Sequence, residues 1–258
     1  MYVVDKIKCP SCNKDIISND FDNNFGVCPY CNFYLRLSAK NRINYFLDSW
    51  KEDIPYRQVI TDPLSFEDRV AYSKKIKSLK KELDINESII IGTAEIKDKT
   101  FLCGIFDFNF LGGTLGIETG EKIYSLFNVA VEKKLPVVLF ITSGGARMQE
   151  GLFSLMQMQK VTVGISKIKK AKIPYITVLS SPTTGGVMAT IASQGDIILA
   201  EQGADIGFTG KRVIKKLFNI KIPDKFQKAE QVQKDGFIDI VINRKELKQT
   251  LFDLLSYT

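Results

Sequence analysis

The chain has 258 residues, 45% hydrophobic and 25% charged, which is the composition of a globular protein rather than a disordered or fibrous one. Its 36 Lys and Arg against 29 Asp and Glu leave a formal charge of +7, and it contains no histidine, so Ser-His-Asp catalysis, Cys-His catalysis and imidazole metal sites are all excluded. No apolar run approaches the ~18 residues of a membrane span, and Met1-Tyr2-Val3-Val4-Asp5-Lys6 lacks the basic-then-apolar layout of a signal peptide, so the expected location is the cytoplasm.

The chain opens on Cys9-Pro-Ser-Cys12 and, fifteen residues later, Cys28-Pro-Tyr-Cys31. Two such knuckles can converge on one tetrahedral Zn²⁺, because each tight turn points two thiolates the same way. The competing reading, a pair of disulfides, is disfavoured by a cytosolic redox poise. A site of four thiolates has no open position for water, so the zinc is expected to be structural. Zinc ribbons also bind nucleic acid. Here residues 1–50 carry 6 basic and 5 acidic groups, and four thiolates (−4) with Zn²⁺ (+2) add −2 to that +1, which weakens the nucleic-acid reading. The fifth cysteine, Cys103, sits in the apolar run 101–106 and reads as core rather than nucleophile.

Past the ribbon, residues 36–50 and 64–83 have helical periodicity, and 50–63, with two prolines, reads as a linker. Residues 88–96 and 100–108 form a β-rich pair joined by a short polar turn, which predicts a hairpin. Helix 121–133, buried strand 136–142, helix 151–170, buried strand 174–180, helix 187–193 and strand 196–200 follow. Helices near 211–218, 226–235 and 244–256 and a strand at 237–241 close the chain. Alternating strands and helices predict an α/β core, with residues 1–50 as ribbon and first helix and 51–258 as the main domain. The basic excess sits at the end, where residues 211–258 carry 11 basic and 6 acidic groups. Nucleic acid, an acidic partner, a polyphosphate substrate and a merely solvated surface all fit that excess.

Twice, a buried strand stops at paired glycines just before a helix: at Ser143-Gly144-Gly145 and at Thr184-Gly185-Gly186. Glycine pairs let backbone N–H groups approach a ligand, and a helix N-terminus adds positive potential there. Two such turns side by side would make an oxyanion hole. Two ordinary tight turns are the alternative that spacing leaves open.

These residues also carry a resemblance. Ser143-Gly144-Gly145-Ala146-Arg147-Met148-Gln149-Glu150-Gly151 resembles the signature of biotin-dependent carboxyltransferases. Pro182-Thr183-Thr184-Gly185-Gly186-Val187 and Ile206-Gly207-Phe208-Thr209-Gly210-Lys211-Arg212 follow at the spacing of that family, and 106–114, with Gly112 and Gly113, resembles its glycine loop. The cysteine ribbon points to the β-subunit branch found in the multi-subunit acetyl-CoA carboxylases of bacteria and plastids.

The resemblance implies a crotonase/ClpP-like core behind a zinc ribbon, working in the cytoplasm or a plastid stroma. It implies an acetyl-CoA half-site completed by an α subunit, most simply as α₂β₂, and served by biotin carboxylase and the biotin carboxyl carrier protein. It further implies that Gly185 and Gly186 hold the thioester oxygen and that Gly144 and Gly145 shape the adjoining turn. Arg147 would orient its loop or pair with Glu150, and Gly112, Gly113, Lys211 and Arg212 would lie along the substrate. Carboxybiotin would bring both the carboxyl group and, after losing it, the base, so the missing histidine fits; the product would be malonyl-CoA for fatty acid synthesis. Several positions depart from the family pattern. Glu118 follows the glycine loop and is expected to place a carboxylate near the site, Lys211 stands where proline is usual, Gln159 and 161–164 replace a small-residue stretch, and Asn32-Phe33-Tyr34 replaces a histidine after the fourth cysteine. These departures leave room for a specialised paralogue acting on another acyl-CoA. Decarboxylase relatives that share the core usually lack the ribbon. A nucleic-acid-binding ribbon on an idle core is the non-enzymatic alternative.

Overall fold

The computed structural model describes residues 6–257, the side chain of Arg212 aside. Most of the segment read for a signal peptide therefore lies outside the described residues.

The ribbon is a short antiparallel hairpin, β1 (Lys6–Lys8) and β2 (Asp15–Ile17), followed by α1 (Ser18–Asn23). Ser38 then starts α2 (Ala39–Phe46) with a capping box: its Oγ accepts the Asn41 N–H at 3.1 Å, while the Asn41 side chain accepts the Ser38 N–H. That cap begins the helix three residues later than its apolar periodicity suggested. It ends early too, because Trp50 lies in β3 (Ser49–Lys51), paired with Ala94. The expected helix 64–83 is also shorter. Asp62 Oδ1 accepts the Phe66 N–H at 3.0 Å and Ser65 adopts φ +47°, so a turn holds the chain until α3 (Tyr72–Leu83).

β4 (Ile89–Ile96) and β5 (Lys99–Phe106) form the expected hairpin. α4 (Ile117–Lys133), β6 (Val137–Ser143), α5 (Leu152–Lys170), β7 (Tyr175–Thr184), α6 (Gly185–Thr190), β8 (Ile197–Glu201) and the two-residue β9 (Ile206–Gly207) complete the core. The chain ends with α7 (Lys211–Phe218), α8 (Ala229–Lys234), β10 (Ile240–Ile242) and α9 (Arg244–Ser256). The main sheet runs β10-β8-β7-β6-β5-β4-β3, parallel from β10 through β5 and antiparallel beyond, with β9 added to the end of β7.

Period-two alternation divides the strand side chains between two apolar layers. Ile90, Phe101, Cys103, Val138, Phe140, Ile176 and Val178 face the layer shared with the ribbon, α2 and α9. Ile89, Leu102, Val137, Leu139, Tyr175 and Leu179 face the layer under α4, α5 and α6. Cys103 is buried in the first layer, and burial pushes its thiol well up, as a core cysteine requires. The ribbon is not a loose appendage: Phe25 stacks on Phe46 of α2 (6.3 Å), which stacks on Phe140 of β6 (5.9 Å).

Candidate active site and metal centre

The two cysteine knuckles share one backbone plan. Asn13 N–H donates to the Cys9 carbonyl and Asn32 N–H to the Cys28 carbonyl, with φ of +59° and +58° at the two asparagines. The sequence signal was therefore Cys-Pro-x-Cys-Asn, with Asn supplying the left-handed position that few other residues accept. A tetrahedral Zn²⁺ with bonds of ~2.3 Å sets its sulfurs roughly 3.8 Å apart. Cys9 Sγ lies 3.7 Å from Cys31 Sγ, Cys12 Sγ lies 3.7 Å from Cys28 Sγ, and the four sulfurs all fall within 4.8 Å of one another. Burial works against ionising Cys9, yet the N–H groups of Cys12 and Ser11 bring it down to about 7. Thiolates this close repel one another unless a divalent cation holds them. Cys9, Cys12, Cys28 and Cys31 thus fit one structural zinc ion.

On the core, the two glycine turns abut. Ser143 and Thr183 are partners across β6 and β7, and Thr184 Oγ1 donates to the Ser143 carbonyl at 3.2 Å. Gly145 (φ +113°) and Gly185 (φ +67°) both lie in the glycine-favouring region. A Cβ on Gly185 would sit 3.0 Å from Gly145 Cα. The glycine loop is stitched alongside: Gly144 N–H donates to the Gly112 carbonyl and Leu115 N–H to the Gly145 carbonyl, each at 2.9 Å.

This hydrogen bonding separates the four glycines of the two turns. The N–H of Gly144 is spent on Gly112, that of Gly145 on Ser143 Oγ (3.0 Å) and that of Gly185 on the Phe208 carbonyl (2.8 Å). The N–H groups of Gly144 and Gly145 are thus engaged within the turn they were expected to shape, whereas that of Gly185, expected to hold the thioester oxygen, is taken by Phe208. Gly186 differs. It lies in the first turn of α6, where the helix offers no acceptor for its N–H.

The Arg147 guanidinium is fully buried and points inward, donating to Glu87, Glu150 (3.2 Å), Tyr72 (3.3 Å) and Thr114, so the pairing with Glu150 is formed and the side chain ties its loop to α3 and to the glycine loop. Burial alone would raise the Glu87 carboxyl, but the Arg147 charge overrides it and holds Glu87 below the ordinary range. Gly113 is packed against the Thr142 carbonyl, whereas at Gly112 a Cβ would meet only Phe108 and Thr114 side chains, each at 3.9 Å. Lys211 is ion-paired with Asp205 at 2.6 Å, and Lys228 reaches the same carboxylate at 3.0 Å. The Arg212 side chain lies outside the described residues. Glu118, expected near the site, is buried in α4, where Tyr56 donates to it at 3.1 Å and Lys80 pairs with it at 3.5 Å; it fastens the linker. A cavity of about 720 Å³ opens where ribbon and core meet, between Tyr34, Arg36, Asn109, Ser181 and Asp205.

Apolar side chains surround the glycine turns in the open. Met148 is 75% exposed, Leu152 70% and Phe208 68%, and Leu155, Met156 and Val163 extend the patch along α5. Sequence reading missed this, because an apolar helix face reads the same whether the fold or a partner covers it.

Such a sheet, its abutting glycine turns and its zinc ribbon define a crotonase-like α/β core with an attached metal module. The carboxyl transferase domain family matches residues 58–257 and the acetyl-CoA carboxylase zinc finger domain matches residues 7–31, so the chain belongs to the carboxyl transferase family. It is 46% identical to the acetyl-coenzyme A carboxylase carboxyl transferase subunit beta of Desulforamulus reducens, over 97% of this chain and 86% of that one. It is 45% identical to the subunits beta/alpha protein of Clostridium tetani, over 96% of this chain and 43% of that longer one. Transcarboxylase 12S, solved with methylmalonyl-coenzyme A and methylmalonic acid bound, superimposes at a TM-score of 0.69 with 24% identity, over 86% of this chain and 42% of that one. That likeness concerns the fold. Among the described residues no helix is long and apolar enough to cross a membrane.

Proposed function

We infer that the chain is the β half of an acetyl-CoA carboxylase carboxyltransferase, which moves a carboxyl group from carboxybiotin to acetyl-CoA and yields malonyl-CoA. The observation that carries this reading is the pair of abutting glycine turns with the Gly186 N–H at a helix start, in a chain that has no histidine. Carboxybiotin, borne on the biotin carboxyl carrier protein and recharged by biotin carboxylase, supplies the carboxyl group and the base. The chain's own task is electrostatic. The Gly186 N–H donates to the thioester oxygen, and its hydrogen bond strengthens as negative charge develops there. The spent N–H groups of Gly144, Gly145 and Gly185 keep the two turns rigid, so that donor needs no reorganisation. Gly112, whose carbonyl accepts the Gly144 N–H, lies along the acyl group. Lys211 is held by Asp205 and helps shape the entrance, leaving Lys215 and Lys216 of α7 as the cations for CoA phosphates. The reaction would take place in the cytoplasm or a plastid stroma.

The exposed apolar rim of Met148, Leu152, Met156 and Phe208 supports a homologous α subunit closing over the site, and the fused β/α relative supports the same pairing. The expected assembly is α₂β₂. Co-expressed with its α subunit, the chain should elute at that mass, and α5 should become protected from hydrogen exchange. A chain that stays apart from α, or that transfers carboxyl groups robustly by itself, contradicts the reading.

A further inference from the structure

A buried ionic relay links the zinc ribbon to β7, the strand that leads into Gly186. Glu201, the last residue of β8, accepts from Arg42 Nη1 at 2.9 Å and from Arg244 Nη2 at 2.7 Å, and all three side chains are 2% exposed. Arg244, at the start of α9, turns its Nη1 to the ribbon, donating to the Phe25 carbonyl at 3.2 Å and the Gly26 carbonyl at 3.1 Å. Gly26 has φ +68° and stands two residues before the zinc ligand Cys28. At the other end, Arg42 Nη2 donates to Ser180 Oγ on β7 at 2.7 Å. The Ser180 carbonyl accepts Thr183 Oγ1 at 2.7 Å, and that hydroxyl also reaches the Ile141 carbonyl of β6 at 3.0 Å. Thr184, Gly185 and Gly186 follow directly.

A buried ion triad is a poor way to gain stability, since well-packed apolar groups of the same volume often do as well or better. What charges add is a fixed geometry among groups from separate elements. Here those elements are the ribbon, α2, β7, β8 and α9. Apolar contacts already hold the ribbon down through the Phe25–Phe46–Phe140 stack, so docking alone does not require the triad.

We propose that Glu201, Arg42 and Ser180 are positioning residues that transmit the seating of the zinc ribbon to the Gly185–Gly186 turn, so that zinc retention and turnover share one hydrogen-bonded relay. Coupling of this kind is reciprocal for binding: loosening the hub loosens the metal. The turnover part rests on the carboxyl-transfer reading, whereas the zinc part does not.

The test uses the complete αβ complex and follows zinc release to a chromogenic chelator alongside kcat and KM for acetyl-CoA. Glu201→Gln should release zinc about tenfold faster and lower kcat about tenfold at unchanged KM. Ser180→Ala, which cuts only the far end, should lower kcat about threefold and leave zinc release alone. In the double variant kcat should fall no further than in Glu201→Gln alone, because both changes break one relay. Zinc release at the parent rate in Glu201→Gln, parent kcat in Ser180→Ala, or fully multiplicative kcat losses would each overturn the relay. Should Glu201→Gln fail to fold, Arg244→Lys with Ser180→Ala makes the same comparison. A parent complex that transfers nothing would instead count against the functional reading and leave the zinc arm to judge the relay.

Discussion

Gly186→Val is expected to lower turnover of the αβ complex by about 10²–10³-fold, the usual loss for one oxyanion donor, while CoA itself binds nearly as before. The added side chain would grow into the Met158 thioether and displace the first turn of α6. A thioether is soft and adaptable, so folding should survive. Gly185→Ala should behave in the opposite way. Its φ of +67° and the 3.0 Å approach of its Cβ to Gly145 Cα set the new methyl against backbone that cannot yield. That strain should cost on the order of 1–3 kcal/mol of stability. Turnover per folded complex, measured beside the melting temperature, separates the two. Near-normal turnover in folded Gly186→Val would reject Gly186 as the donor.

Arg147→Met is expected to cost about 3–5 kcal/mol of stability at neutral pH, because Glu87 and Glu150 would be left buried without their cation. The pH dependence carries its own signature. In the parent, Arg147 holds the Glu87 carboxyl below its ordinary range, so the pair's contribution is present above the unfolded pKa of ~4.3 and fades as pH falls. In the variant, burial is opposed only by the Ser88 N–H and the Lys122 charge, both smaller influences, and the Glu87 carboxyl rises. The folded state then binds the extra proton, and the variant should regain stability as pH falls from 7 toward 5. Thermal melts across that range check both slopes. A deficit that stays constant with pH would show that the loss comes from packing, not from an uncompensated charge.

Much of this architecture was legible in the sequence because strong local rules agreed with the tertiary fold. The cysteine spacing marked the zinc site, and buried β-rich runs flanked by glycines marked β6 and β7. The chain was less legible where a tertiary partner overrode a local pattern. Residues 64–71 have helical periodicity, but the Asp62 carboxylate and the left-handed Ser65 make them a turn. Trp50 sits in a segment that reads as linker, yet pairs with Ala94 because β4 would otherwise be the sheet edge. The site was half legible. Motif resemblance found the glycines but not which of their N–H groups the fold consumes, since Phe208 and Gly112 lie far along the chain from the donors they bind. Arg147 and Glu118 likewise carry no sequence sign of the partners that bury them. Glu201, Arg42 and Arg244 looked like ordinary charges, because a buried triad drawn from three distant segments leaves no periodic trace.

The most direct test of the account is the reverse reaction, run with purified β chain, purified α subunit and the two together. The account predicts that malonyl-CoA carboxylates free biotin, with acetyl-CoA released in equal amount, only when both subunits are present, and that Gly186→Val in the β chain nearly abolishes it. Equal rates from either subunit alone, or full activity in the complex carrying folded Gly186→Val, would contradict it.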